Sequence, residues 1–522
     1  MAFEALLKEY ERRRARALAM GGPEKLAKRK KAGMLNARER LELLFDPGTF
    51  LESGLFGASG VYPGEADETP ADGKLAGYGK IGGRNVAAVV NDFTVKGAST
   101  SSTNGKKVAH MKRTATERGI PLVIIGESTG ARLPDAMGSR GMGQLLGNDS
   151  TQFRRTREMP MAAAVLGPSF GSSAWLACCA DFAVMHKGAT MAVSSPRLIE
   201  MALNEKVDFE ELGGWRLHAE ITGLIDQVVD TEQEVFQAIH RFLSYLPGNN
   251  MEAPPDAPVP AGSGADMARV FALLPESRTQ VYDMKRIVGA VVDRDTLFEL
   301  KPRFGKSAVT GLARLGGKSV GIVANNPLHR GGALDADACR KITEFLVLCD
   351  SFNVPIVLLV DTPGFQIGTE AEKSGAPGKI MNFMNAMTLV TVPRLSVIIR
   401  KSYGRAYVCM GGGRHSDDVA AWPTAEVSFM SPEFATRIVH GVKPGDPGFA
   451  EKLAEIELAS DVWGLAEVFA AQAVIRPEET RDYLIRMLEV YRLRPTKRVG
   501  QHLMRSWPSS YGRRKDDLTM QG

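Results

Sequence analysis

Two stretches of this chain place an aromatic residue and then a glycine after an apolar run. They are "VLGPSFGSSAW" (Val165 to Trp175) and "IIRKSYGRAYV" (Ile398 to Val408). A glycine at a strand end, followed by a helix, leaves backbone N–H groups without intrahelical acceptors. Fixed donors of that kind can hold an oxyanion, and the helix dipole adds to the field. In the first stretch the candidate donors are Gly171 and Ser172; in the second they are Arg405 and Ala406. Any residue except proline keeps its N–H, so Ser172 and Arg405 leave such a site intact. The competing reading is that Gly171 and Gly404 only let a helix pack close to a sheet. Arg405 adds a long, permanently charged side chain beside its turn. Burying that charge without a partner is expensive, so it must reach solvent or meet an anion, and a carboxylate fits its fork.

The elements that must carry these turns repeat. "GYGKIGGRNVAAVVN" (Gly77 to Asn91) matches "GLARLGGKSVGIVAN" (Gly311 to Asn325) at an offset of 234 residues. "PLVIIGESTGARL" (Pro121 to Leu133) matches "PIVLLVDTPGFQI" (Pro355 to Ile367) at the same offset, and Met159 to Trp175 matches Val392 to Val408 at 233. "AVSSP" and "SFMSP" end at Pro196 and Pro432, an offset of 236. Four blocks in one order and nearly one register point to an internal duplication, and the period is too long for a solenoid. Two α/β domains are expected, over 1–250 and 265–522, joined by the Pro/Gly/Ala-rich segment Asn249 to Asp266. Within each, apolar runs of four to six residues alternate with helical stretches, as in a buried sheet. Ligands of such domains gather at the strand ends, where both turns lie.

Composition narrows the function. The chain has 522 residues, 44% hydrophobic and 24% charged, with a net charge of +5. That mild charge does not point to nucleic acid. Cys178, Cys179, Cys339, Cys349 and Cys409 form no C-x-x-C pair, so no zinc or redox site is expected, and free thiols suit a reducing compartment. Cys178 and Cys179 read as small core residues. The opening "MAFEALLKEYERRRARALAMGG" has no signal-peptide core. Met159 to Ala180 carries no charge, but "GPSFGSS" at its middle suits a buried strand, turn and helix better than a membrane span. The expected location is cytoplasmic (or the mitochondrial matrix in a eukaryote, although no transit peptide is evident). "RFGKS" and "LGGKS" hold Leu300 and Leu312 where a phosphate loop needs its first glycine. No Ala-Met-Lys-Met biotinylation segment occurs. "KRKK" (Lys28 to Lys31) reads as a solvated helix face, and Arg132 as half of a structural ion pair. Arg414 and His415 have no ligand cluster around them.

The chain resembles the carboxyltransferase subunit of biotin-dependent acyl-CoA carboxylases, of the propionyl-CoA and methylcrotonyl-CoA carboxylase type. The motifs are "NARERLELLFDPGTF" (Asn36 to Phe50), "NDFTVKGAS" (Asn91 to Ser99), "ELGGWRLH" (Glu211 to His218) and "GIVANNP" (Gly321 to Pro327). "DTPGFQIGTEAEKSG" (Asp361 to Gly375), "RKSYGRAY" (Arg400 to Tyr407) and "AWPTAE" (Ala421 to Glu426) complete them, so the likeness runs from about Ala37 to Met430.

The resemblance implies two crotonase-like (ClpP/crotonase spiral) domains and transfer of a carboxyl group from carboxybiotin to the α-carbon of an acyl-CoA. It gives the first domain to the acyl-CoA and the second to biotin. Gly171 and Ser172 would hold the thioester enolate oxygen, and Arg405 and Ala406 the ureido oxygen of biotin. Gly404, Tyr407, Val408, Gly364 and Phe365 would line the cofactor side, with Val408 where the family selects acyl size. The biotin carrier and the biotin carboxylase would be partner chains. A homohexamer would form the core of a larger complex, with each site shared between two subunits. No metal, nucleic acid or membrane partner is expected, and the four-cysteine zinc head of some relatives is absent. The family usually has Gly-Gly at Gly171-Ser172 and Gly-Gly-Ala at Gly404-Arg405-Ala406. Ser172 and Arg405 keep a non-catalytic assembly subunit open as an alternative. Because one oxyanion pair serves both directions, a decarboxylase subunit running the transfer backwards stays open too.

Overall fold

The computed structural model describes residues 2–59, 65–146, 153–155 and 157–492. Positions 493–522 of the second expected domain lie outside them. The chain divides into two compact units, Met1–Asn250 and Met251–Gly522.

The first unit holds eight strands: β1 (Leu51–Glu52), β2 (Lys74–Ile81), β3 (Arg84–Asn91), β4 (Leu122–Ser128), β5 (Met161–Phe170), β6 (Phe182–His186), β7 (Thr190–Ala192) and β8 (Gln227–Val229). They form one sheet in the order β1-β2-β3-β4-β5-β6-β8, with β7 also paired to β5. β1, β2 and β3 run antiparallel; from β3 onward every pairing is parallel. The parallel strands explain the unbroken apolar runs. Val89, Val90, Ile124, Ile125, Ala163 and Ala164 are all buried, so both faces of the sheet are covered.

The second unit repeats this plan with β9 (Phe298–Leu300), β10 (Ala308–Leu315), β11 (Lys318–Asn325), β12 (Ile356–Thr362), β13 (Arg394–Tyr403), β14 (Asp418–Ala421), β15 (Glu426–Ser428) and β16 (Ala473–Val474). Its order is β16-β14-β13-β12-β11-β10-β9, with β15 on β13. The repetition extends to detail. The ladder between β4 and β5 shifts register between Gly126 and Ser128, and that between β12 and β13 shifts between Val360 and Thr362. The Gly-Gly turn joining β2 to β3 has both N–H groups held by Asp46, at 3.1 and 2.8 Å. Its counterpart between β10 and β11 is held by Asp293, at 3.0 and 2.7 Å. Side-chain caps start the helices that follow. Ser101 caps Ser102–Arg118 within a capping box, and Asp335 caps Ala336–Ser351.

The segment read as a linker lies on the second unit. The carbonyl of Pro255 accepts from Arg314 at 2.8 Å, and Ala257 N–H donates to Gly317 at 2.9 Å.

Candidate functional site

β5 ends at Phe170, Gly171 turns the chain, and the helix Ser172–Cys179 follows. This is the strand, turn and helix expected of the uncharged stretch from Met159. Gly171 has φ 61° and ψ −124°, a conformation that a side chain disfavours. Trp175 N–H makes the first backbone bond back to the Gly171 carbonyl, at 3.0 Å, so the N–H groups of Ser172, Ser173 and Ala174 precede the helical ladder. The Ser172 hydroxyl meets Thr100 Oγ1 at 2.9 Å. Thr100 is strapped to the loop after β4: its N–H donates to the Gly130 carbonyl at 2.8 Å, and its carbonyl accepts from Arg132 N–H at 2.9 Å.

The second turn has the same build. Gly404 has φ 60° and ψ −144° and starts the short helix Arg405–Cys409. Its own N–H is used, donating to the Ser428 carbonyl at 2.9 Å, and Tyr407 N–H returns to the Gly404 carbonyl at 3.2 Å. The N–H groups of Arg405 and Ala406 therefore have no backbone acceptor among the described residues. Ala406 is fully buried, whereas the Arg405 side chain is exposed. Solvent is where Arg405 goes within its own chain.

The structure brings some of the remaining candidates to this turn. Gly364 follows β12 with its N–H on Thr362 Oγ1 at 3.2 Å, and its Cα borders the Tyr403 carbonyl, since a methyl there would lie 3.8 Å away. Phe365 forms an isolated bridge to Leu334. Tyr407 braces a glycine-rich turn. Its hydroxyl accepts from Gly413 N–H at 3.1 Å and its carbonyl from Gly412 N–H at 2.9 Å. Val408 is half-buried.

Buried ion pairs fix the strand ends beneath both turns. Glu127, near the end of β4, accepts two bonds from Arg29 at 2.9 Å and one from Arg40 at 2.7 Å. Burial raises the Glu127 pKa, but Arg29 and Arg40 outweigh it and hold the carboxyl below its usual range. At the matching place on β12, Asp361 accepts from Tyr282 at 2.8 Å and from Arg400 at 3.0 Å. Burial and the Asp361 charge hold the Tyr282 phenol well above its usual value.

One expectation needs correcting. Within "KRKK", Arg29 is buried, because its guanidinium reaches across 98 positions to Glu127; Lys28, Lys30 and Lys31 keep the exposed face. Arg132 forms the structural pair, with Asp72 at 2.7 Å. Cys178 and Cys179 are half-buried, whereas Cys339, Cys349 and Cys409 are buried. Among the described residues, no group of three or more His, Cys, Asp or Glu could hold a metal, and no helix is long and apolar enough to cross a membrane.

Sequence reasoning missed the place of Ser173 in the first turn and the burial of Lys74. The 233-residue offset pairs Ser173 with Ala406, and that signal identifies it as a turn donor equal to Ala406. Lys74 pairs with Asn91 across β2 and β3, while its counterpart in the second unit is Ala308.

Residues 28–503 match the family model described as "Carboxyl transferase domain". The chain is 34% identical over 491 residues to the propionyl-CoA carboxylase beta chain of Roseobacter denitrificans, covering 92% of this chain and 95% of that one. It is also 34% identical over 485 residues to the methylmalonyl-CoA decarboxylase subunit alpha of Veillonella parvula, covering 91% and 93%. The transcarboxylase 12S hexamer, solved with methylmalonyl-coenzyme A and methylmalonic acid bound, superposes with a TM-score of 0.86 at 32% identity, over 95% of this chain and 98% of that one. The two repeated α/β units thus have the crotonase-type fold, and the chain belongs to the carboxyl transferase family.

Proposed function

We propose that this chain is the carboxyltransferase subunit of a biotin-dependent acyl-CoA carboxylase. It moves a carboxyl group from biotin, carried on a partner chain, to the α-carbon of an acyl-CoA. The observation that carries the reading is the pair of equivalent strand-end turns, each with N–H groups outside the backbone ladder. Loss of the α-proton puts negative charge on the thioester oxygen. Gly171 and Ser172, joined by Ser173, hold that charge; each fixed donor is worth about 2.7–4 kcal/mol. Arg405 and Ala406 hold the ureido oxygen of biotin. The residues fit that group: the N–H groups of Arg405 and Ala406 have no backbone acceptor among the described residues, and a glycine precedes them where a methyl would crowd the Phe429 carbonyl at 3.1 Å. When bound, biotin supplies the carboxyl group and a nitrogen able to accept the α-proton. Gly364 and Phe365 shape the same side, with Gly404, Tyr407 and Val408.

The first unit serves the acyl-CoA and the second serves biotin. A working site joins the first unit of one subunit to the second unit of another, within a homohexameric core that also binds biotin carboxylase and the biotin carrier. We place the complex in the cytoplasm, consistent with five free cysteines. The decarboxylase relative motivates a second reading, the same transfer run from a carboxyacyl-CoA to biotin; the same donors serve both directions.

The test is reconstitution. The chain is mixed with a biotin carboxylase, a biotinylated carrier, ATP and labelled bicarbonate. Label should enter an acyl-CoA only when all parts are present. Fixation by the chain alone with ATP, or none with any acyl-CoA in an assembled complex, rejects the reading. Biotin carboxylation from a carboxyacyl-CoA without the forward reaction selects the reverse one.

A further inference from the structure

The two strands that end in the turns carry the same irregularity. The β12–β13 ladder advances two residues on β12, from Val360 to Thr362, against four on β13, from Ile398 to Ser402. The β4–β5 ladder steps from Gly126 to Ser128 against Val165 to Ser169. Each turn strand therefore holds two extra residues, and its turn glycine follows two positions after the step. A bulge of this kind re-aims the end of a strand.

Asp361 stands at the middle of the β12 step and grips two residues of the bulge beside it. Its Oδ2 accepts from Arg400 Nε at 3.0 Å and from the Tyr282 hydroxyl at 2.8 Å. Its Oδ1 accepts from the Lys401 N–H at 3.1 Å. The carboxylate is fully buried. The far side of the Arg400 guanidinium donates to the Ser277 and Gln280 carbonyls at 3.0 and 3.2 Å, and the Lys401 ammonium to the Arg278 carbonyl at 3.1 Å.

The first unit holds its bulge differently. At the offset of 233, Gly167 stands for Arg400 and Pro168 for Lys401. Proline has no N–H that needs an acceptor. A side chain at Gly167 would strike Glu127, 2.9 Å away. Glu127 takes its cations from Arg29 and Arg40, on the helices Pro23–Lys31 and Ala37–Leu44. It ties the sheet to two helices, whereas Asp361 ties the bulge itself.

We infer that Asp361 is a positioning residue for the Arg405 and Ala406 N–H pair. By holding Arg400 and Lys401 it fixes the bulge, and the bulge aims the turn that begins three residues later. The inference rests on reading that turn as the biotin side of the site. A carboxylate suits the place because both oxygens accept. An amide of the same shape has one accepting oxygen and sets an NH₂ group against a donor.

The test reads position and chemistry separately in Asp361→Asn. Crystal structures of the assembled wild type and variant are superposed on β10, β11 and β12. The Arg405 and Ala406 nitrogens should move by about 0.5 Å or more, the tolerance of a working site. With β3 and β4 superposed, the Ser172 nitrogen should stay in place. A second turn that does not move overturns the inference. Carboxyl transfer to free biocytin is then followed, with the carboxyacyl-CoA formed in the reconstitution as donor. Turnover per folded chain should fall about tenfold or more, as it does when reacting groups are misplaced. KM should rise for biocytin and stay unchanged for the carboxyacyl-CoA. A loss that vanishes once corrected for the folded fraction, or an equal rise in both KM values, overturns the inference. Where Asp361→Asn does not assemble, Asp361→Glu decides. It keeps the charge but carries the carboxylate one methylene further, so the same shift and the same split in KM are expected, and an unmoved turn rejects the role. A displaced turn, in a protein whose wild type transfers no carboxyl group, upholds Asp361 and sinks the carboxyltransferase reading. Transfer by the wild type with an unmoved turn in the variant does the reverse.

Discussion

Lys341 donates its ammonium to the carbonyl oxygen of Ala308 at 2.8 Å, and Lys107, 234 positions earlier, makes the same bond to the carbonyl of Lys74. In each unit a helix thus ties down the first residue of a long strand with a lysine. Neither lysine has a carboxylate partner in that bond; Lys341 also meets the Phe304 carbonyl at 3.1 Å, and Lys107 the Ala71 carbonyl at 2.8 Å.

A pH dependence follows. Burial holds the Lys341 pKa down to about 7, against 10.5 for a free lysine. Between those values the unfolded chain binds more protons than the folded one, so stability rises with pH across the window and is flat below it. One such group adds a slope of up to about 1.4 kcal/mol per pH unit. Urea midpoints of the wild type should climb from pH 7 to pH 9, and Lys341→Met should climb less steeply. Parallel slopes for the two proteins would refute the assignment.

The two turn glycines should respond unequally to alanine. Both sit at positive φ, which costs a side chain about 1–3 kcal/mol in this region. At Gly171 the nearest atom to an added methyl is 3.9 Å away, so backbone strain is the whole effect. At Gly404 the methyl also meets the Phe429 carbonyl at 3.1 Å. Gly404→Ala should therefore lower the denaturation midpoint more than Gly171→Ala. Each should lower carboxylation at least tenfold where it tilts the following N–H groups. Equal midpoints would mean that the Phe429 carbonyl yields freely.

Much of this architecture was legible in the chain. The offset of 234 between Gly77–Asn91 and Gly311–Asn325 reappears as two sheets of one topology with register shifts at matching places. What stayed hidden depended on direction. Arg29 sits in a basic run and reads as solvated, yet a helix has an inner face and Glu127 lies on it. Lys74 opens a strand next to the acidic Asp72 and reads as a polar strand end. Only the pairing with Asn91 shows that its side chain turns inward. Ser173 stayed hidden for another reason: a pair counted from the glycine is Gly171-Ser172, whereas the 233-residue repeat of Arg405-Ala406 is Ser172-Ser173.

A shared site predicts complementation between dead subunits. Each unit leaves an apolar face uncovered at matching positions: Val193, Leu198 and Leu203 in the first, Phe429, Phe434 and Val439 in the second, all at an offset of 236. A neighbouring copy would cover both. Ala406→Pro should cut activity by about 10²–10³ by removing one donor, and Gly171→Pro by at least as much, because proline also cannot hold the φ of 61° there. Co-expressed, they should regain a measurable fraction, because some interfaces pair an intact first unit with an intact second unit. Hybrid assemblies, verified by mass spectrometry, that remain inactive would place each site within one chain.

Arg405 separates the backbone from the side chain. Its guanidinium is exposed and has no partner among the described residues, while its N–H stands at the start of the Arg405–Cys409 helix without an acceptor. If the N–H is the working group, removing the side chain should matter little. Arg405→Ala should keep turnover within about twofold of wild type and stability within about 0.5 kcal/mol, the usual range for an exposed substitution. Arg405→Pro is the sharper change. Proline is tolerated at the first helical position, since no intrahelical bond is lost there, so the turn should survive while the donor disappears. Turnover should fall by about 10²–10³, the loss expected of one oxyanion donor, with the unfolding midpoint nearly unchanged. The opposite pattern, a large loss in Arg405→Ala matched by Arg405→Lys, would move the function to the guanidinium. Its planar fork would then be gripping a carboxylate that an ammonium cannot hold in the same way.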